Sequence, residues 1–179
     1  MASLRKALAY SKKHARPYTR VSKNKSKSYI KQVPHNKIVK YNLGNVDAYN
    51  QGKLKHVARF IAEERAQIRD NSLEACRLLM NKALEKNVPK QFYLQIKVYP
   101  HHILRNNKTA AGAGADRLSS GMKHSFGVIE GRAAMVNAGK ELFVVYCENE
   151  KVVRFARRVL NMVKSKVPCK GRVVVELAE

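Results

Sequence analysis

The chain has 179 residues, a length that suits one domain with room for an arm, and its 36 Lys and Arg against 13 Asp and Glu leave a net charge of +23. That surplus, about one uncompensated cation per eight residues, exceeds what solubility needs and costs a compact fold self-repulsion, so a polyanion is the expected partner, nucleic acid first and anionic membrane second. Apolar residues make up 45%, enough for a core and too many for a wholly disordered basic protein, and no run nears the ~20 apolar residues of a membrane-spanning helix.

The first segment, a quarter of the chain, carries about half of the imbalance. Residues 1–46 hold 12 Lys or Arg and no acid, and the first carboxylate is Asp47. The basic start lacks the apolar run of a secretory signal, which together with three scattered cysteines reads as an intracellular, cytoplasmic protein. Within the segment, Ser22-Lys23-Asn24-Lys25-Ser26-Lys27-Ser28 alternates cations with small polar residues, and Tyr10, Tyr18, Tyr29 and Tyr41 are interleaved. Such a block is either a solvated tail or an arm that becomes ordered on RNA, with cations on phosphates and tyrosines on bases.

From Leu54 onward the pattern turns globular, beginning with an extended-looking piece at His56–Ile61. A helix is predicted over Ser72–Lys86, with Asn71 as N-cap, Glu74 completing a box-like start, and Leu73, Cys76, Met80 and then Ala83 or Leu84 at helical spacing; Asn87 and Pro89 end it. Phe92 to Tyr99 alternates, so that Phe92, Leu94, Ile96 and Val98 form one face and Tyr93, Gln95, Lys97 and Tyr99 a polar, basic one. After Pro100 a Gly/Ala/Ser-rich loop is expected over His101–Gly121. Strands return at Phe126–Val136 and Glu141–Cys147, joined as a hairpin through Asn137-Ala138-Gly139. A second helix spans Glu150–Ser165, with Val152, Ala156, Val159 and Val163 as its apolar stripe and Lys151, Arg154, Arg157 and Arg158 opposite; a last strand follows at Arg172–Leu177. The order implies an α+β domain at 47–179, a mostly antiparallel sheet with two packed helices, preceded by the basic arm at 1–46.

Catalytic and metal chemistry find little support. Cys76, Cys147 and Cys169 are 71 and 22 residues apart, with no C-x-x-C or H-x3-H pair beside them, and Cys76 and Cys147 sit in apolar patterns that read as core. His101 and His102 are adjacent and point to opposite sides of a strand; Glu63 and Glu64 lie among Arg65 and Arg69 and read as surface ion pairing. Ala111-Gly112-Ala113-Gly114-Ala115-Asp116-Arg117 fails as a dinucleotide loop, because Arg117 stands where a third glycine belongs, and as a Walker loop, because Gly121 is followed by Met122. No enzyme and no cofactor are expected. A connection of this length still needs a reason, and its small residues and spaced cations suit either a mobile surface loop or one that reaches into folded RNA.

The same segment carries a family resemblance. Lys108-Thr109-Ala110-Ala111-Gly112-Ala113-Gly114-Ala115-Asp116-Arg117-Leu118, then Gly121-Met122-Lys123 and Phe126-Gly127, resembles the signature of the universal large-subunit ribosomal protein L-sixteen family, in its archaeal and eukaryotic L-ten-e branch. Arg16-Pro17-Tyr18-Thr19-Arg20, Val33-Pro34 with Lys37-Ile38, Asn71–Arg77 and Gly131-Arg132-Ala133-Ala134 are similar to further family segments, and the chain's end at Glu179 favours an archaeal member. The resemblance implies an α/β-hammerhead-type fold bound to large-subunit rRNA beside the aminoacyl-tRNA site. It also implies that the 105–123 loop points toward the tRNA acceptor ends.

Charge and resemblance together nominate Arg16, Tyr18, Arg20, Lys23, Lys25, Lys27, Arg132, Arg154, Arg157 and Arg158 for rRNA, and Arg105, Asn107, Lys108, Gly112, Gly114, Arg117, Met122 and Lys123 for the tRNA-proximal loop. The expected partners are large-subunit rRNA, tRNA and neighbouring ribosomal proteins, with no membrane and no homo-oligomer. The competing reading is a basic nucleic-acid-compacting or anionic-membrane-surface protein. Against it stand the lack of heptads, helix-turn-helix pairs or zinc fingers and the narrow apolar faces of both helices.

Overall fold

A computed structural model of the chain describes residues 33–106 and 128–177, together with Ser11, Asn24 and Ile30. The elements run β1 (Asn42–Gly44), α1 (Val46–Asn50), β2 (His56–Ala62), β3 (Ala66–Arg69), α2 (Asp70–Asn87), β4 (Phe92–Ile96), β5 (His102–Asn106), β6 (Val128–Val136), β7 (Glu141–Cys147), α3 (Glu150–Val163), a 3-10 turn at Lys164–Lys166, and β8 (Gly171–Leu177). The strands form a five-stranded sheet in the order β1-β4-β7-β2-β8 and a three-stranded sheet in the order β3-β6-β5. Each strand pair among the described residues is antiparallel. The architecture is α+β.

Strand alternation and helix periodicity meet in one core. Phe60 lies opposite Phe143, Ala58 opposite Val145, and Leu94 opposite Val145 from the other side, so these residues share one face of the larger sheet. That face meets Leu73, Cys76, Met80 and Leu84 of α2 and Val152, Ala156, Val159, Leu160 and Val163 of α3. Each fully buried Phe, Leu or Met contributes about 1.5–3 kcal/mol. The second face is also largely covered: Tyr93 is buried, stacked at 4.5 Å against Tyr49 of α1. The polar face expected for this strand is therefore reduced to Gln95, Lys97 and Tyr99, because an element too short to show periodicity lays an aromatic ring over it.

Several local expectations give way to tertiary contacts. The first long helix begins at Asp70 rather than Ser72, and Asn71 is inside it, not its cap. The Asp70 carboxylate meets the helix start instead, accepting from the amides of Asn71 (2.9 Å) and Lys37 (3.3 Å). Glu74 does not turn back on the cap; it accepts two bonds from Arg77, at 2.8 and 2.6 Å. Glu64 pairs with Lys170 at 3.5 Å and Arg65 donates to Asn137, so Glu64 is answered from the far end of the chain. The second long helix ends at Val163, two residues early, and passes into the 3-10 turn.

Asn137-Ala138-Gly139 makes a bend and not a hairpin. Gly139 takes φ +81, its amide donates to the Ala62 carbonyl at 2.7 Å, and the Ala62 amide returns a bond to Lys140 at 2.9 Å. Ala66 faces Val136 on one side of the bend and Ile61 faces Glu141 on the other, so β6–β7 follows β3–β2 around a corner and each crosses from one sheet to the other. The expected loop is also shorter at its start, since His102–Asn106 is β5, paired with β6.

Candidate nucleic-acid interface

The amphipathic stripe of α3 decides where its cations go. With Val152, Val153, Ala156, Val159, Leu160 and Val163 sunk in the core, Lys151, Arg154, Arg157 and Arg158 are left exposed, and Lys164 and Lys166 extend the row. Arg154 meets Glu150 one turn back at 3.4 Å, with both side chains about three-quarters in solvent (77% and 74%), a geometry worth little. Among the described residues Arg157 and Arg158 make no ion pair. Beside them a shallow groove of about 350 Å³ runs between α3 and β8, lined by His56, Val153, Arg154, Arg157 and Val175 together with the acids Glu150 and Glu176, which are paired with Arg154 and Arg59. Free guanidinium groups on a rigid helix beside an open groove can neutralise phosphates without breaking internal bonds.

Other cations are already spent. Arg59 bridges Glu141 (3.4 Å) on β7 and Glu176 on β8, and Arg77 is clamped on Glu74, whose carboxyl is held below its ordinary value chiefly by that hydrogen bond. Arg132 of β6 donates through Nε to the Pro34 carbonyl at 2.7 Å and through a terminal nitrogen to the Tyr99 hydroxyl at 3.3 Å. It fastens the segment before β1 to the body of the protein. That segment is further held by the Lys37 amide on Asp70, the Val39 amide on Glu74, and the buried Ile38.

Arg105 lies at the end of β5, half-buried, where the pairing with β6 shifts register between Leu104 and Arg105. Asn106 faces Val128, so the strands hold side by side the two points between which residues 107–127 run. Under this root His102 is buried against Gln67; burial, and then the positive charge of Arg105, push its pKa down. Its neighbour His101 is exposed. The remaining loop nominees, Asn107, Lys108, Gly112, Gly114, Arg117, Met122 and Lys123, lie outside the described residues, as do Arg16, Tyr18, Arg20, Lys23, Lys25 and Lys27 of the arm.

Among the described residues no three His, Cys, Asp or Glu gather as metal ligands, and burial pushes the Cys76 and Cys147 thiols up to about 12, far from a reactive thiolate. Sequence reasoning missed the aromatic pairs: Tyr49 with Tyr93 and Tyr146, and Tyr99 with Tyr41 and His101. The signal for the second was present in Tyr99-Pro100-His101, two rings one residue apart around a proline.

Residues 14–174 match the protein family described as ribosomal protein L16p/L10e. The large ribosomal subunit protein uL16 of Staphylothermus marinus is 42% identical over 172 residues, covering 96% of this chain and 92% of its own length. That of Thermofilum pendens is 42% identical over 164 residues, with 91% of each chain covered, and that of Nanoarchaeum equitans 37% over 174 residues, 96% and 92% covered.

Proposed function

The chain belongs to the ribosomal protein L16p/L10e family, structural and non-enzymatic constituents of the large ribosomal subunit, and we propose that it binds large-subunit rRNA near the aminoacyl-tRNA site and helps to position tRNA. The match over residues 14–174 carries this reading. Two basic surfaces do the binding. The arm at 1–46, through Arg16, Tyr18, Arg20, Lys23, Lys25 and Lys27, and the open face of α3, through Arg154, Arg157 and Arg158, neutralise rRNA phosphates. Arg132 contributes by holding the base of the arm in place, since its guanidinium already bridges Pro34 and Tyr99.

The 47–179 domain serves as the platform, and the 105–123 loop, rooted between β5 and β6, presents Arg105, Asn107, Lys108, Gly112, Gly114, Arg117, Met122 and Lys123 to tRNA without a reacting group. Neighbouring ribosomal proteins complete the surroundings, in the cytoplasm. Sucrose-gradient fractionation of a cell lysate tests the assignment: the chain should travel with the large subunit and leave it only in high salt, and recovery with chromosomal DNA or membrane would reject it. Deleting residues 108–117 should spare rRNA binding and impair tRNA placement. Normal translation by ribosomes carrying that deletion would end the loop assignment.

A further inference from the structure

Tyr99 is 42% exposed and His101 lies open to solvent, yet both rings are held in place. The Tyr99 ring stacks on Tyr41 at 5.4 Å with 26° between planes, and His101 packs on Tyr99 at 4.4 Å and 46°. Backbone geometry enforces the second contact. The His101 amide donates to the Tyr99 carbonyl at 3.0 Å, closing a three-residue turn around Pro100, whose φ is set by its own ring. Two of the three rings are tied down: the Tyr41 hydroxyl accepts from Asn36, the Tyr41 carbonyl accepts the Ile96 amide at 2.8 Å, and the Tyr99 hydroxyl accepts from Arg132 at 3.3 Å. An exposed ladder of rings with little conformational freedom left to lose is preorganised for a flat ligand.

The exposed chain beside it supplies cations, and the neighbouring acids are already engaged, Glu74 by Arg77 and by the Val39 amide. Residues 33–41 and 97–101 contain Lys37, Lys40 and Lys97 and no acid. Asp70, the carboxylate felt by the Tyr41 hydroxyl, is buried and engaged by two amides. A basic ribosomal neighbour would be repelled here, whereas a nucleotide offers a π-face to the rings and a phosphate to the cations.

We propose that Tyr99 and His101, backed by Tyr41, form a stacking platform for an unpaired RNA base, a contact that rests on the chain's role as an rRNA-binding protein. The platform joins Tyr41, at the base of the arm, to Tyr99 and His101 of the folded body, and it reads a base's flat surface rather than its identity.

The chain contains no tryptophan, so Tyr99→Trp in the full-length protein places a single indole on the platform. Its fluorescence should be quenched by a large-subunit rRNA transcript and by a short oligoadenylate, and far less by an RNA duplex of the same length. Tyr99→Leu should weaken rRNA binding roughly tenfold with an unchanged salt slope, while Tyr99→Phe, which keeps the ring and loses the Arg132 bond, binds as the unaltered chain does. Binding without quenching, or equal affinity for the Leu variant, overturns the platform and leaves the rRNA reading standing. Quenching that appears only when other ribosomal proteins are added assigns the surface to a protein and overturns it too. Failure of the unaltered chain to bind rRNA even in dilute salt removes the parent reading and this inference with it.

Discussion

Replacing Arg132 by alanine should release the chain that leads into β1. The bond from Nε to the Pro34 carbonyl is 2.7 Å long and made by a charged donor, a class that contributes about 1.5–3 kcal/mol. The companion ties are weaker by geometry, with the Lys37 amide 3.3 Å from Asp70 and the Val39 amide 3.4 Å from Glu74, at or beyond the long end of ordinary hydrogen bonds. Ile38 stays buried in either case, so the loss is local: opening of residues 33–37 should become easier by about 2 kcal/mol, equivalent to an order of magnitude or more in amide exchange. Hydrogen–deuterium exchange over peptides covering 33–41 measures it, with β7 as the unchanged internal control. Protection in 33–41 equal to that of the unaltered chain would refute the reasoning. The same variant also decides how Arg132 serves RNA: a guanidinium on a phosphate would lower the salt slope of rRNA binding by about 0.9, whereas one committed to Pro34 leaves the slope alone.

Changing Arg154, Arg157 and Arg158 together to Gln should keep stability within about 0.5 kcal/mol, since all three are exposed, and reduce the salt slope of rRNA binding by about 2–3; filter binding across a salt series that shows no change in slope would remove this face from the interface. Gly44→Ala places a Cβ 2.3 Å from the Phe92 carbonyl oxygen at φ +95, and should cost about 2–3 kcal/mol in denaturant unfolding from backbone strain and the endangered Asn45 amide bond to that same oxygen. Gly139→Ala, at φ +81 with nothing within 4 Å, should cost only the strain, about 1–2 kcal/mol, and equal losses at the two sites would show that the close approach is immaterial. Because Arg77 holds the Glu74 carboxyl below 4.5, the folded state keeps that stabilisation above 4.5 and loses it as pH falls through the lower folded value. Thermal melts should therefore drop in acid, and less so for Glu74→Gln; identical acid profiles for the two proteins would contradict the assignment.

Much of this molecule is written in short-range pattern. The stripe of Val152, Ala156, Val159 and Val163 predicts which side of α3 is buried, and therefore which arginines are left outside, because helix periodicity is a local property and burying an apolar face dominates its energetics. The inward set Phe92, Leu94 and Ile96 follows from strand alternation in the same way. The concentration of unopposed cations in residues 1–46 needs no fold to be seen, and it points to a polyanion directly.

Partner-dependent features were not legible in this way. Ala66–Arg69 and His102–Asn106 become strands only because β6 lies between them, and four or five residues carry too little periodicity to announce it. Asn137-Ala138-Gly139 signals a change of direction, but whether the chain reverses or turns a corner depends on Ala62 waiting on the opposite strand. Nor could the other arginines be sorted from sequence, since Arg59, Arg132 and Arg157 are alike in one dimension; whether a carboxylate or a carbonyl stands at the end of each is decided across as many as 117 residues. Secondary-structure bias and net charge follow from residues and their near neighbours. The availability of a given charge or ring for a ligand depends on what tertiary contacts have already claimed, and that is settled only when distant segments meet.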